Sequence, residues 1–437
     1  MWFRKSAEVI PLVIYMLACQ CNLGAVSAPE KMANKEVAAK SHPAKEKKQP
    51  APLVEKYLIE GNLQEGETAL LAAMKAHPAN DQLRFGLGSL QFLQAVERLS
   101  QSLHKYGLGN GTLHDWHRMP TPSLPLPENA NPAVLNYEDA RNIARDFLED
   151  LGKAEATLAS IKRADMELPL HFGMIRLDLN GDGKTNDDES LWRLYAALDR
   201  SKNISADNAK DFYISFDRGD VHWLRGYCHM FMGVCELYLA HDTKQTFDCT
   251  AHLFFNKVNS PYQFLKEDNP ALHNSGDILD LIALVHLINW PVSEPERMVA
   301  ALHHFEDVTT QSKESWKWIM AEKDNDHEWL PNPQQTSVIP DVHVTQEMVD
   351  TWLNLMDQTK QILAGEVLTR FWRGSDGLGL NVRKMFTEAK TFDLVVFLQG
   401  PGAAPYLQKG PLIEEGTFNK LQHTFGNQFP GFALWFN

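Results

Sequence analysis

Asp178-Leu-Asn-Gly-Asp-Gly-Lys-Thr-Asn-Asp-Asp-Glu189 is the stretch on which the reading of this chain turns. Counted from Asp178, the first, third and fifth positions are Asp178, Asn180 and Asp182, which offer side-chain oxygen on one edge of a turning loop. The sixth is Gly183, where the chain must turn sharply with positive φ. The seventh, Lys184, would lend its backbone carbonyl, so its side chain matters little. The ninth, Asn186, supplies oxygen directly or through water, and the twelfth, Glu189, can close the shell with two oxygens. Hard oxygen donors at this spacing suit a cation that takes six to eight of them.

At these residues the chain resembles the EF-hand family. The resemblance implies Ca²⁺ binding by Asp178, Asn180, Asp182, the Lys184 carbonyl, Asn186 and Glu189. It covers the loop and a helix either side, and does not extend to the rest of the chain. Without a ligand, the same stretch reads as an Asn/Asp/Gly-rich turn. One departure is Thr185 in eighth place, where paired loops usually carry an aliphatic residue that bridges to the partner loop. The nearest partner candidate, Asp324-Asn-Asp-His-Glu-Trp329, has Trp329 where glycine is needed and no closing Glu in place. A single loop is therefore expected, and with it an ion that pins the fold rather than switches it. Before the loop, Leu170, Met174 and Leu177 fall at helical spacing behind Pro169, while Gly173 also allows an extended path. After it, Leu191, Trp192, Leu194, Tyr195 and Leu198 give an apolar face to a helix.

Residues 1–28 join a basic start (Arg4, Lys5) to an apolar run from Val9 to Ala18 and then small residues, the layout of an export signal. The run is short against the ~20 residues of a membrane span. Cleavage fits near Ala25-Val-Ser-Ala28, with Pro29 opposing a cut directly after Ala28. The alternative is a lipoprotein leader, because Met16-Leu-Ala-Cys19 loosely resembles a lipobox and would place a lipid anchor on Cys19. Both readings put the chain in the periplasm or outside the cell, where weak calcium sites with Kd of ~10⁻⁴–10⁻³ M are filled. Residues 29–52 are mostly Ala, Lys, Pro and Glu, the composition of a disordered linker.

The 437 residues leave room for two or three domains or one large one, and the 44% hydrophobic fraction fits a globular protein. A net charge of −14 argues against nucleic acid and against anionic membrane as main partners. No segment after the leader is long and apolar enough to span a membrane. Of five cysteines, Cys19 and Cys21 lie in the leader. Cys228 and Cys235 stand seven apart in a helical stretch, ~10.5 Å along its axis, too far to bridge each other. Either could pair with Cys249.

Order is expected to begin near Leu53. The run from Leu63 to Asn80, with small residues inside and Pro78 at its exit, resembles the second helix and exit turn of a tetratricopeptide repeat. A further helix follows from about Asp81 to Tyr106. With one unit and no second, 53–114 is expected as a helical hairpin packed on the main body. The Gly/Pro/Asn-rich loop from Gly107 to Pro132 marks the best internal boundary, and 133–437 is the main domain. There Asn136 can cap a helix from Tyr137 to about Lys162, and Asp220 one from Val221 to His241 that is apolar nearly all round. Asp277–Asn289, Glu294–Met320 and Thr345–Leu363 read as further helices. Phe392–Leu398 and Phe432–Phe436 read as short strands. The predicted class is mainly α: a multi-helix globular body with one EF-hand-type loop and a small mixed α/β C-terminal part.

Other groups compete for chemistry. His303 and His304, with Glu306 and Asp307, could ligate a transition metal, but adjacent residues on a helix point about 100° apart. Asp217, Asp220 and His222 sit near a helix start, where acid/base work competes with plain capping. Cys228, His229, Cys235, Cys249 and His252 have no zinc-like spacing. Arg370, Arg373, Arg383 and Lys384 form a basic island that either holds an anionic ligand or pairs with the acidic surplus. Phosphate loop, nucleophile elbow, zincin pair and dinucleotide fingerprint are absent. The leading expectation is an exported calcium-binding protein with a binding or scaffolding role at the cell envelope, its partner a protein or other envelope component. The alternative is an envelope hydrolase or other enzyme in which calcium is only structural.

Overall fold

The computed structural model describes residues 51–109, 128–193, 209, 212–267, 273–339, 342–373, 377–414, 416–425, 429 and 433. The leader, almost all of the linker, the core of the Gly107–Pro132 loop, the helix expected beyond Arg193 and the Phe432–Phe436 segment apart from Ala433 lie outside the described residues. The fold is mainly α, with small sheets of two or three strands.

Helices α1 (Leu53–Glu60), α2 (Leu63–Ala76) and α3 (Asp81–Lys105) open the described chain. Asn80 starts α3 by accepting the Leu83 N–H at 3.2 Å. Asn136 starts α4 (Tyr137–Ala159) with a reciprocal box: its Oδ1 accepts the Asp139 N–H at 2.9 Å, and Asp139 accepts the Asn136 N–H at 3.2 Å. Strands β1 (Leu168–Leu170) and β2 (Ile214–Phe216) pair antiparallel, Leu168 opposite Phe216. Helix α5 (Arg218–Ala240) is capped by Asp217, not by the expected Asp220. Asp217 Oδ1 accepts the Gly219 N–H at 2.7 Å, and Asp220 returns a bond to the Asp217 N–H at 2.9 Å. The helix therefore starts one turn earlier than the apolar pattern suggests.

The short α6 (Lys244–Thr250) and α7 (His273–His286) follow, then β3 (Asn289–Pro291), α8 (Pro295–Ile319) and α9 (Gln346–Ala364). Pro295 suits the first turn of α8, where its missing N–H costs nothing. Thr345 caps α9 through the Met348 N–H at 3.2 Å. Long helices form a row in which α3 packs on α4, α4 on α5, α5 on α8 and α8 on α9. The α5–α8 contact is close because Gly233 has no side chain: a Cβ there would stand 2.9 Å from the Phe305 ring.

One buried cluster runs from Val54 through Leu90, Leu158 and Leu177 to Cys235. The N-terminal helices thus share their core with α4 and α5. Each fully buried leucine in it, such as Leu58 or Leu158, contributes ~2 kcal/mol.

The C-terminal part holds β4 (Thr369–Arg370), β5 (Leu378–Leu380), α10 (Val382–Thr387), β6 (Thr391–Asp393), α11 (Leu394–Gln399), β7 (Leu407–Lys409) and α12 (Thr417–Phe425). Strand β3 pairs with β6, and β4, β5 and β7 form a three-stranded sheet. The strand expected over Phe392–Leu398 is mostly helix. Only its first two residues lie in β6, and Asp393 then caps α11 by accepting the Val396 N–H at 2.9 Å. A short apolar run has no period long enough to separate strand from helix, and the cap decides it.

Candidate functional site

The loop at 178–189 is entered by an extended chain. After β1 comes a 3-10 turn at Phe172–Met174, and burial then alternates at Gly173, Ile175, Leu177 and Leu179. The helix allowed by Leu170, Met174 and Leu177 does not form; burial follows a period of two instead, with Leu177 in phase and buried and Met174 out of phase and half-buried. The loop's limbs pair with each other. The Leu191 N–H donates to the Ile175 carbonyl at 2.8 Å and the Leu177 N–H to the Glu189 carbonyl at 3.1 Å, with Arg176 opposite Ser190. The exit passes through a 3-10 turn at Asp187–Glu189 into the first helical residues, 191–193.

Gly181 and Gly183 both take positive φ, +75° and +76°. Those two turns aim successive N–H groups inward. Asp178 Oδ1 accepts from Gly181 at 2.8 Å and Asp182 at 3.2 Å, and its Oδ2 from Gly183 at 3.0 Å. Asn180 Oδ1 accepts the Asp182 N–H at 2.8 Å, and Asp182 Oδ1 the Lys184 N–H at 2.8 Å. Glu189 is buried, 3% exposed; Oε1 accepts from Leu179 at 3.0 Å, and Oε2 from the Asn186 backbone at 3.0 Å and side chain at 3.4 Å. Asp187 and Asp188 take the nearby cations, Arg176 at 2.6 Å and Arg193 at 3.7 Å. Among the described residues, Asp178, Asp182 and Glu189 carry no ion pair, and no three His, Cys, Asp or Glu side chains are gathered closely enough to hold a metal ion.

The loop rests on the N-terminal helices. Thr185 Oγ1 donates to the Glu60 carbonyl at 3.1 Å, and its methyl packs where a Gly61 Cβ would be, 2.2 Å away. Gln101 of α3 donates to the Asp178 carbonyl at 2.8 Å, and the Arg176 N–H to the Leu58 carbonyl at 3.0 Å. Thr185, out of place for a paired loop, is thus a docking residue within this chain. Behind it, Glu97 of α3 accepts the Asp178 N–H at 2.8 Å. Burial pushes the Glu97 carboxyl up to about 7; the Asp178 and Glu189 charges add to this, while the Asp178 N–H and Arg98 oppose it. Sequence reasoning missed Glu97. Its signal was its place at helical spacing on a stripe with Leu90, Gln94 and Gln101.

A second acidic group gathers at the α5 start. Asp217 and Asp220 meet Glu322 and Glu328 from the segment after α8. Burial, then the charges of Asp217 and Glu328, raise Asp220. Burial and the adjoining Asp217 carboxyl push Glu322 far above the usual range, and its buried Oε1 meets no donor among the described residues. Burial pushes Glu328 up to about 7. His222 is not part of the group: its Nδ1 faces Gln311 Oε1 of α8 at 2.8 Å, and burial lowers its pKa.

His303 and His304 separate as their spacing requires. His303 faces Glu306 at 3.0 Å, and His304 meets His229 of α5, Nδ1 to Nδ1, at 3.1 Å. His229 also approaches Glu155 at 3.4 Å, and Arg225 grips Glu155 at 2.7 Å. Cys228, Cys235 and Cys249 are all free, so neither of the pairings open to Cys249 is made; burial raises all three thiols, Cys235 to about 12. The basic island divides: Arg383 pairs with Glu306 at 3.0 Å, while Arg373 stacks on Trp372. A cleft of about 410 Å³ lies between α3 and α4, and one of about 250 Å³ beside Asn80 and Arg163. Neither is lined by Asp217, Asp220, His222 or the C-terminal arginines. No helix among the described residues is long and apolar enough to cross a membrane. Comparison with family models, curated proteins and solved structures finds no match.

Proposed function

We propose that this chain is an exported calcium-binding protein with a binding or scaffolding role at the cell envelope. One Ca²⁺ would be held by Asp178, Asn180, Asp182, the Lys184 carbonyl, Asn186 and Glu189. The supporting observation is charge left without a partner. Arg176 and Arg193 pair with Asp187 and Asp188, while Asp178, Asp182 and Glu189 have no cation among the described residues. A divalent ion would supply it, and its hard character fits an all-oxygen donor set. Asp178 Oδ2, Asn180 Oδ1, Asp182 Oδ1 and Glu189 Oε1 accept one N–H each and keep a lone pair for a cation, while Asp178 Oδ1 and Glu189 Oε2 already accept two.

The ion's role in this reading is structural. It would relieve repulsion among three carboxylates and fix the loop against Glu60 and Gln101. Residues 1–28 would direct export, by cleavage or by a lipid anchor at Cys19, and the partner is a protein or other envelope component, not nucleic acid. Titration calorimetry with calcium on the wild type and on Asp182→Ala tests the reading. The wild type is expected to bind with measurable heat and the variant to lose it; equal heats from both would sink the proposal.

A further inference from the structure

Helix α7 exposes Leu279, Ile282 and Val285, at 63%, 57% and 42% of their surface. Spaced by three, they line one side of the helix. Helix α11 exposes Val395, Val396 and Leu398. The strand pair sets these helices side by side. α7 runs into β3, β6 runs into α11, Asn289 lies opposite Asp393, and the Leu394 N–H donates to the Ile288 carbonyl at 2.9 Å. The helices touch. At the edge of this apolar face stands Trp372, itself exposed, its Nε1 donating to the Leu398 carbonyl at 2.9 Å. Arg373 lies over the Trp372 ring, 4.0 Å from its centroid. Arg370 and Arg373 are exposed and carry no ion pair among the described residues, unlike Arg383.

We propose that this face docks on a lipid bilayer, with the α7 and α11 side chains entering the headgroup boundary and Arg370 and Arg373 meeting lipid phosphates. The rim decides between occupants. At this edge the Asp393 carboxylate is held in the α11 cap, and the cation beside the apolar face is the exposed Arg373 over Trp372. Headgroup phosphates are its complement. Tryptophan and arginine beside an apolar helix face are what a bilayer interface accommodates, because each has an apolar body and a polar tip. A net charge of −14 gives no long-range pull toward anionic membrane, so the apolar residues must supply most of the affinity. The inference does not depend on calcium.

Cosedimentation of the full chain with vesicles of phosphatidylethanolamine and phosphatidylglycerol tests it, beside Leu398→Asp, Ile282→Asp and Arg373→Gln. Matching circular dichroism and melting would establish that the variants fold. The wild type is expected to sediment with vesicles, either Asp variant to lose this, and Arg373→Gln to weaken it about fivefold. Variants that sediment like the wild type, or a wild type that stays in solution, would overturn the proposal. So would self-association of the wild type abolished by Leu398→Asp, which would assign the face to a second copy.

Discussion

The loop at 178–189 and the segment at 322–328 are both dense in carboxylates, and they hold them by different means. In the first, Gly181 and Gly183 turn backbone N–H groups toward the acids, so that Asp178 alone accepts three. In the second, Glu322 and Glu328 pack beside Asp217 and Asp220 under a helix start, and Glu328 accepts a single loop N–H, from Asp326 at 3.0 Å. Donors favour the ionised form, whereas burial with like charge favours the proton. Acidic residues close in sequence or space are therefore no cation site in themselves. What separates the two groups is how many backbone donors reach their oxygens.

One conservative substitution, made in each group, should act in opposite directions. Glu328→Gln is expected to stabilise the protein on the order of 2 kcal/mol at pH 8 and to change little near pH 4.5. The folded-state pKa of Glu328 is raised to about 7 from an ordinary 4.5, so it favours folding below about pH 4.5 and loses this as pH rises through about 7. The glutamine mimics the protonated form and can still accept the Asp326 N–H. Glu97 titrates over the same range in both proteins, so denaturant unfolding of the pair isolates Glu328. A gain independent of pH would break the contrast.

Glu189→Gln should have the smaller effect and the other sign. Glu189 accepts on both oxygens, from Leu179 and Asn186, and a glutamine can serve only one. Leaving one N–H short is expected to cost ~1–2 kcal/mol without calcium, read by denaturant unfolding. A variant as stable as the wild type would mean that the loop's donors do not hold Glu189 in place.

The turns of the 178–189 loop were legible because their information is local: Gly181 and Gly183 take positive φ among Asp and Asn residues at fixed offsets. Helix starts at Asn136 and Thr345 were legible for the same reason. Asp217 and Asp220 flank one turn, and the apolar run starting at Val221 pointed to Asp220 where Asp217 caps. Phe392–Leu398 was misread because its β-branched run outweighed Asp393, whose cap lies in one hydrogen bond. Glu322 and Glu328 gave no sign of their burial, which arises only when the segment after α8 folds back onto the start of α5. The role of Thr185 was equally hidden, since its partner Glu60 lies 125 residues away.

Thermal unfolding in the presence of a dye that reports apolar surface tests the central claim most directly, with calcium added and then removed by chelator. The account predicts a melting temperature that rises with calcium and falls with chelator, equivalent to ~2.7 kcal/mol at a hundredfold excess over Kd, and flat dye fluorescence below the transition. A melting temperature indifferent to calcium, or a large rise in dye fluorescence on adding it to the folded protein, would contradict a structural ion at 178–189.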